Sequence, residues 1–132
     1  MTLQMVDLGF ERDGRTAIVT LSGDVDMSNA ALVRRRIAEF VTSNDDAVIL
    51  DLSSLSFIDS AGLHAVVELG GVLGERRQQI VLSVAPGSQV ERAIEIVGIP
   101  RTFPVHPDRG AAMEAARVSA TDPRPFAPGE DV

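Results

Sequence analysis

The sequence predicts a single α/β domain whose mixed, mostly parallel sheet is packed with helices. Segments rich in β-forming residues alternate with segments of helical period in the order β-β-α-β-α-β-α-β-α. The run from Ala47 to Leu52 is almost entirely apolar, which is typical of a strand buried on both faces of a parallel sheet. A chain of 132 residues with 45% hydrophobic residues also suits one domain with a substantial core.

The N-terminal part of the chain is predicted to begin with a hairpin. The segment Leu3–Phe10 alternates roughly between apolar and polar residues, and Thr16–Leu21 is a second β-rich run. Asp13 and Gly14 between them favour a tight turn, so these two strands are expected to be antiparallel. The segment Ser22–Asp26 is expected to break the second strand.

A first helix is predicted after that break. Asp26 or Ser28 can cap its N-terminus, and Asn44–Asp46 ends it in a polar turn. The apolar residues of this segment recur at helical spacing, so one face is expected to be core. That face comprises Ala30, Val33, Ile37, Phe40 and Val41.

The buried strand Ala47–Leu52 is followed by a predicted loop, Ser53–Asp59, and by a second helix that begins near Ser60. Three glycines inside this helix weaken it by about 1 kcal/mol each relative to alanine, so we expect them to allow close packing against a neighbouring backbone. The glycines are Gly70, Gly71 and Gly74. The apolar side of the helix comprises Leu63, Val66, Val67 and Leu73.

The C-terminal half repeats this alternation. A strand is predicted at Gln79–Val84, and Ser88 and Glu91 form a capping box that opens a third helix. Thr102–Val105 is predicted as a short last strand, and Asp108 as the cap of a final alanine-rich helix. The third helix has the apolar face Val90, Ala93, Ile94 and Val97 and stops at Gly98. The final helix is predicted to end near Val118, so the domain spans residues 1–118, and the tail 119–132, with Pro123, Pro125 and Pro128, is predicted to be disordered.

Composition restricts the classes of function. The formal net charge is −7, from 19 acidic and 12 basic residues, and such a chain repels the phosphates of nucleic acids and anionic lipids. Cysteine is absent, which excludes disulfides, thiolate catalysis and zinc–thiolate sites. The sequence contains neither a signal-peptide pattern nor an apolar run of membrane-spanning length, so a cytoplasmic protein without direct nucleic-acid or membrane contact is expected.

Two polar segments are expected to meet at the carboxyl ends of the parallel strands, where the functional loops of such sheets lie. They are Ser22–Asp26 and Phe57–Leu63. Ser60 then stands at or next to a helix N-terminus, where exposed amides and the helix dipole favour an added phosphate. The same position also suits an ordinary serine cap, and from position alone both interpretations stay open.

Three motifs in the same order resemble one known family. Asp59-Ser60-Ala61-Gly62-Leu63 resembles the signature of the anti-sigma factor antagonists, the STAS domain family, which also provides the cytosolic tails of sulfate transporters. The segment Leu21–Asp26 is similar to the family's first conserved loop. Gly98–Pro100, followed by Phe103–Val105, resembles its C-terminal pattern. The likeness extends from about Leu3 to Val118, and three ordered motifs are far more specific than any one of them.

This resemblance implies a partner-switching function rather than catalysis. Ser60 occupies the position that family members phosphorylate. The kinase is the anti-sigma factor that the antagonist binds, and a metal-dependent phosphatase reverses the reaction. Binding of the anti-sigma factor frees a sigma factor for transcription, and no cofactor is implied. Ala61 departs from the second serine of many members, which leaves Ser60 without a competing hydroxyl. The residues expected to bind the partner are Asp24, Asp26, Asp59, Ala61, Gly62 and Leu63.

Simple electrostatics predicts that phosphorylation is an off-switch. A phosphate adds about −1.5 to −2 charges beside Asp59 and near Asp24 and Asp26. Like charges repel at an interface, and a buried dianion without a partner is costly. The unmodified Ser60 hydroxyl could instead fit an apolar contact formed with Ala61 and Leu63.

Other interpretations have less support in the sequence. Ser60 lacks the Gly-x-Ser-x-Gly elbow of a serine hydrolase, and His64, one helical turn later, is more typical of a surface residue than of a base. Two histidines without ligand spacing predict no metal site. Arg34, Arg35 and Arg36 can be a solvated helix face or part of a partner-binding surface. A STAS accessory subunit of a membrane transport system or of a stress-sensing assembly is the alternative function.

Overall fold

One six-stranded sheet forms the centre of the computed structural model, which describes residues 2–3 and 5–121. The strands follow one another across the sheet in chain order. They are β1 (Thr2–Leu3), β2 (Val6–Asp13), β3 (Thr16–Val25), β4 (Ala47–Ile58), β5 (Gln79–Ser83) and β6 (Val105–His106). The helices are α1 (Ala30–Phe40), α2 (Ser60–Glu75), α3 (Gln89–Ile96), a 3₁₀ turn (Ile99–Arg101) and α4 (Arg109–Thr121).

The predicted fold class and strand directions are confirmed. Strands β2 and β3 pair antiparallel across a turn in which Gly14 has a φ of 62°, while β3, β4, β5 and β6 are parallel to their neighbours. The first predicted strand, Leu3–Phe10, is in fact two strands, because the backbone reverses between β1 and β2, where Met5 adopts a φ of 69°.

The two faces of the sheet are covered unequally. Helices α1, α2 and α3 pack on one face over a large aliphatic core that includes Val19, Leu50 and Leu82. On the other face lies α4, which contributes two small residues, Ala112 and Ala116. The strands meet them with Ile18, Ala47, Ile49 and Val81.

Strands β3 and β4 extend further than predicted, so the expected loops Ser22–Asp26 and Ser53–Asp59 are mostly strand. Strand β3 continues to Val25 through two irregularities in its pairing with β4, and β4 continues to Ile58. The pairing of β4 with β5 ends at Asp51 and Ser83. Beyond that point β4 has only β3 beside it, and polar residues can face solvent without leaving the strand.

The first helix differs from prediction at both ends. Its N-cap is Asn29 rather than Asp26 or Ser28, because the Asp26 carboxylate instead accepts hydrogen bonds from Ser28. At the C-terminal end Phe40 is only half-buried. Its ring lies 5.0 Å from that of Phe10, and the Arg12 guanidinium stands 4.3 Å above its centroid. The remaining members of the predicted apolar face are buried, namely Ala30, Val33, Ile37 and Val41.

The glycines of α2 have different environments. A Cβ atom at Gly70 would overlap the ring of Phe103, so close packing is confirmed there, although the neighbour is an aromatic side chain and not the predicted backbone. At Gly71 and Gly74 a Cβ atom would have no neighbour within 4 Å, so that explanation is wrong for both. Val67 was predicted to lie on the apolar side of this helix, but it is exposed because α2 turns that position away from the sheet.

The C-terminal elements largely follow their predicted caps. Ser88 accepts a hydrogen bond from Glu91 N, and Asp108 accepts one from Ala111 N. Val97 is exposed rather than core, because it lies beyond the last residue of α3. Helix α4 continues to Thr121 instead of ending near Val118, and residues 122–132 of the predicted tail lie outside the described residues. The last strand is Val105–His106 rather than Thr102–Val105.

Candidate functional site

The C-terminal ends of β3 and β4 meet, as the sequence predicted for the two polar segments. Val25 and Ile58 are partners in the parallel ladder, and Asp59 N donates to Val25 O at 3.1 Å. The chain leaves β3 into the loop before α1 and leaves β4 directly into α2. The β3–α1 loop and the N-terminus of α2 are therefore neighbours.

Asp59 connects these two elements through its side chain. It is the N-cap of α2, and its Oδ1 accepts a hydrogen bond from Gly62 N at 3.0 Å. Its Oδ2 accepts a second one from Met27 N, in the β3–α1 loop, at 3.2 Å. One carboxylate thus satisfies an amide of the first helical turn and fixes the adjoining loop.

Ser60 is the first residue of α2, and its side chain is exposed. Because Asp59 is the cap, the alternative interpretation of Ser60 as the capping residue is wrong. Within the described part of the chain, the Ser60 hydroxyl has no hydrogen-bond partner. It therefore stands free at the positive end of a 16-residue helix dipole, accessible to another protein.

The β3–α1 loop is held by a buried amide. Asn29 Oδ1 accepts from Asp26 N at 3.0 Å, and Asn29 Nδ2 donates to Asp24 O at 3.0 Å. The Ser28 hydroxyl and the Ser28 backbone N–H both donate hydrogen bonds to the Asp26 carboxylate and lower its pKa, the hydroxyl having the larger effect. Asp26 is consequently ionised at neutral pH.

The three predicted aspartates line one edge but do not converge. Asp24 lies within the end of β3 opposite Phe57, Asp26 follows the strand, and Asp59 precedes α2. Within residues 2–3 and 5–121, no three His, Asp or Glu side chains are grouped so as to hold a metal ion. The arrangement therefore makes an acidic surface, in which the carboxylates of Asp26 and Asp59 accept hydrogen bonds.

Gly62 and Leu63 have a structural position. Both are buried, and a Cβ atom at Gly62 would lie 2.6 Å from Ile58 Cγ1 and 2.9 Å from Val25 Cγ1. These two residues seat α2 against the ends of the strands, and their contact with a partner stays a prediction. Leu63 belongs to the core, and Ala61 is partly buried against it.

Two residues of the site were missed by the sequence analysis. Met27, between Asp26 and Ser28, is 83% exposed, and Asn29 organises the loop from a buried position. An apolar residue inside a polar turn was the available signal for Met27. Asn29 could not be singled out from the sequence, because it is one of several polar residues that could cap α1.

Arg34, Arg36 and His64 form surface ion pairs. Arg34 of α1 lies 3.6 Å from Glu68 of α2, and His64 Nε2 lies 3.4 Å from the other oxygen of the same carboxylate. Arg36 pairs with Glu39 at 3.0 Å. His64 is thus directed to Glu68, one turn further from Ser60, and the geometry gives no support to its use as a base for Ser60.

None of the helices in the described ranges has the length and apolar character that crossing a membrane requires.

Comparisons with known proteins agree with this architecture. A family model described as the STAS domain matches residues 8–112. The anti-sigma-F factor antagonist RsfB of Mycobacterium tuberculosis (strain H37Rv) is 32% identical over 87 residues, which are 66% of this chain and 70% of that protein. The crystal structure of an anti-sigma factor antagonist from Mycobacterium paratuberculosis has a TM-score of 0.76 at 26% identity, covering 85% of this chain and 94% of that one.

The same fold occurs inside a much larger protein. The structure of murine Solute Carrier 26 family member A9, an anion transporter, gives a TM-score of 0.70 at 23% identity. The likeness covers 82% of this chain and 18% of the transporter. It concerns the fold alone.

Proposed function

Since the chain belongs to the STAS domain family, we propose that it is an anti-sigma factor antagonist whose binding is switched off by phosphorylation of Ser60. In its unmodified form it binds an anti-sigma factor that is also a serine kinase, and this binding frees a sigma factor for transcription. A phosphatase that removes the phosphate restores binding. The names of two similar proteins, both anti-sigma factor antagonists, support the choice of partner.

The observation that carries the proposal is the free hydroxyl of Ser60. A phosphoacceptor has to enter a kinase active site, and this hydroxyl is exposed and engaged by no described residue. The neighbouring cap, Asp59, satisfies the helix without it. Modification of Ser60 therefore costs no internal hydrogen bond, and the helix dipole favours the added anion.

The effect of the phosphate follows from its surroundings. It adds about −1.5 to −2 charges next to the Asp59 carboxylate and near the ionised Asp26. A partner surface shaped to fit the small neutral hydroxyl has no room for a phosphate, and burying a dianion that the partner does not hydrogen-bond is unfavourable. The fold itself is expected to survive, because Ser60 contributes nothing to the core.

The test is affinity capture from the native cell with the wild-type protein and with Ser60→Asp, followed by identification and purification of the retained kinase. We then expect Ser60→Ala to bind that kinase constitutively and to take up no label from ATP. Ser60→Asp is expected to lose about 1–3 kcal/mol of binding, roughly tenfold to a hundredfold in affinity. The matched control is Ser43→Asp, because Ser43 is exposed in the turn before β4, at the other end of the sheet.

Each outcome has one meaning. Labelling of a residue other than Ser60 contradicts the phosphoacceptor assignment. Labelling of Ser60 without a change in affinity contradicts the off-switch. Equal losses in Ser60→Asp and Ser43→Asp would mean that the charge acts generally and not at the site.

Service as a STAS accessory subunit of a membrane transport system or of a stress-sensing assembly is the second candidate. It predicts a different capture result: a transporter subunit or a component of a stress-sensing assembly is retained, and Ser60→Asp retains it as well as the wild type does.

A further inference from the structure

Large apolar side chains are exposed at the same edge as Ser60. In the described part of the chain six such side chains are exposed, and three of them belong to this edge: Met27, 83% exposed, Met5, 58%, and Phe57, 41%. The other three lie elsewhere, Val67 on α2 and Ile96 and Val97 at the end of α3. Exposed apolar residues grouped in one region, with a polar rim, mark interaction surfaces more often than scattered ones do.

Specific contacts tie these three residues to the acidic edge. Met5 O accepts a hydrogen bond from Asp24 N at 2.8 Å, and Phe57 is the partner of Asp24 in the β3–β4 ladder. Met27 N donates to the side chain of Asp59. We call Met5, Met27 and Phe57 the apolar triplet.

The charges around the apolar triplet select the kind of partner. Asp24 adjoins Met5 and Phe57, and Asp26 and Asp59 adjoin Met27. The Ser28 hydrogen bonds lower the pKa of Asp26, so that side chain is ionised at neutral pH. The whole chain carries −7. A second copy would bring the same acidic rim against this one, and like charges facing each other are unfavourable.

We propose that the apolar triplet is the anchor of the interface with the anti-sigma factor, and that the partner receives it in an apolar recess flanked by arginine or lysine side chains. This inference rests on the proposed function and adds the chemistry of the contact. Phosphorylation of Ser60 controls whether the complex forms. The apolar triplet determines how slowly the complex dissociates, and the aspartates determine how fast it forms.

Rates separate these contributions. Buried apolar and aromatic anchors determine how slowly a complex dissociates, whereas rim charges mainly determine how fast it forms and how strongly it depends on salt. Replacement of an anchor by alanine is therefore expected to raise the dissociation rate. Neutralisation of a rim aspartate is expected to lower the association rate, with the difference disappearing at high salt.

The experiment measures association and dissociation rates with the purified anti-sigma factor from the capture experiment, at low and high salt. We expect Met27→Ala and Phe57→Ala to dissociate about tenfold faster or more. Asp26→Asn is expected to associate more slowly at low salt only. Ile96→Ala is the matched control, since Ile96 is 84% exposed, as Met27 is, but belongs to α3; it is expected to stay within about twofold of wild type.

The result separates the two proposals. If the wild-type protein fails to bind the anti-sigma factor, the proposed function is wrong. If it binds, and Met27→Ala and Phe57→Ala dissociate no faster than Ile96→Ala, the apolar triplet is not the anchor. Thermal midpoints equal to wild type exclude unfolding, and Met5→Ala replaces Phe57→Ala if the latter melts early. Concentration-dependent self-association that Met27→Ala abolishes would assign the triplet to a second copy and would also overturn the inference.

Discussion

At the scale of single residues, Asp59 and Ser60 have separate roles in the site. Asp59 caps α2 and holds the β3–α1 loop, while Ser60 makes no hydrogen bond of its own within the described residues. A serine that capped the helix would use the hydroxyl that a kinase needs. The aspartate therefore leaves Ser60 available for chemistry without weakening the start of the helix.

The cap can be separated from the charge by mutation. Asp59→Asn keeps an acceptor for Gly62 N but puts an NH2 group opposite Met27 N, so we expect it to lower the unfolding free energy by about 0.5–1 kcal/mol. Asp59→Ala removes the acceptors for Gly62 N and Met27 N and is expected to cost about 1–2 kcal/mol. Urea denaturation measures both. Equal destabilisation by the two variants would show that the capping hydrogen bond from Gly62 N contributes little to the stability of α2.

Two glycines of α2 are expected to respond oppositely to alanine. Gly62→Ala places a Cβ atom 2.6 Å from Ile58 Cγ1, so it is expected to cost about 1–3 kcal/mol through overpacking. Gly71→Ala meets nothing within 4 Å and is expected to add up to about 1 kcal/mol of stability through helix propensity. Thermal and urea unfolding measure whether each variant is more or less stable than the wild type. A neutral Gly62→Ala would mean that α2 can shift away from the strands at little cost.

At the scale of elements, the end of the sheet remote from Ser60 is closed by a buried carboxylate. Asp45 accepts hydrogen bonds from Arg12 of β2 at 2.8 and 2.9 Å and from Thr42 N at 2.9 Å. Gln78, after α2, donates to the main-chain oxygens of Thr42 and Asp45. Three segments far apart in sequence are thus joined where the parallel strands begin.

This carboxylate makes stability depend on pH. Burial raises the pKa of Asp45, but the hydrogen bonds from Arg12 and Thr42 and the charge of Arg12 outweigh it, and the pKa lies below its ordinary value. The stabilisation is therefore complete above the unfolded-state pKa, about 4, and is lost as the pH falls through the folded-state value. We expect Asp45→Asn to cost about 1–3 kcal/mol at neutral pH and less in acid, measured by urea denaturation at several pH values.

The neighbouring residue offers the control for that experiment. Asp46 pairs with Arg15 at 2.8 Å, but both side chains are largely exposed. Asp46→Asn is therefore expected to change stability by less than about 1 kcal/mol. A cost for Asp45→Asn that stays constant from neutral pH to acid would contradict the role given to its charge.

The buried face of α1 can be tested by comparing two apolar residues. Ile37 is buried in the core, so Ile37→Ala is expected to cost about 2–5 kcal/mol. Phe40 is half-buried against Phe10 and Arg12, and Phe40→Ala is expected to cost on the order of 1–2 kcal/mol. Chemical denaturation measures the loss of unfolding free energy in each variant. A larger loss for Phe40→Ala than for Ile37→Ala would contradict the packing of α1.

At the scale of the whole molecule, three helices of the described ranges cover one face of the sheet and one helix covers the other. Helix α4 covers Ile18, Ile49 and Val81 with small residues and is fastened by Arg109. The Arg109 guanidinium contacts Asp51 and Glu11, each at 3.3 Å, and the Thr20 hydroxyl. This helix completes the core of the domain.

Truncation tests where the folded domain ends. A chain cut after Thr121 is expected to keep its thermal midpoint and its partner affinity, because residues 122–132 have no apolar period and contain three prolines. A chain cut after Asp108 loses α4 and is expected to lose on the order of 5 kcal/mol, since the apolar strand residues under α4 become exposed. A lower midpoint after the first cut would contradict the prediction of a disordered tail.

The sequence by itself determined the order of elements, the parallel centre of the sheet and the start of α2 at Ser60. Local patterns predict these properties: the apolar run Ala47–Leu52, the helical spacing of Val33 and Ile37, and the motif that begins at Asp59. Local patterns report which conformation a segment prefers and which face is apolar, and here tertiary packing agrees with those preferences.

Only the tertiary structure decided which residues of the site are exposed and which are buried. Exposure depends on what lies opposite a residue, and that partner comes from a distant segment. Gly62 is confined by Val25 and Ile58, whereas Gly71 of the same helix has open space. Met27 is presented to solvent because Asp59, far along the chain, holds its backbone. Strand β4 continues past Asp51 because β3 still pairs with it after β5 has ended. No local pattern contains these pairings, because each exists only after strands and helices have been brought together.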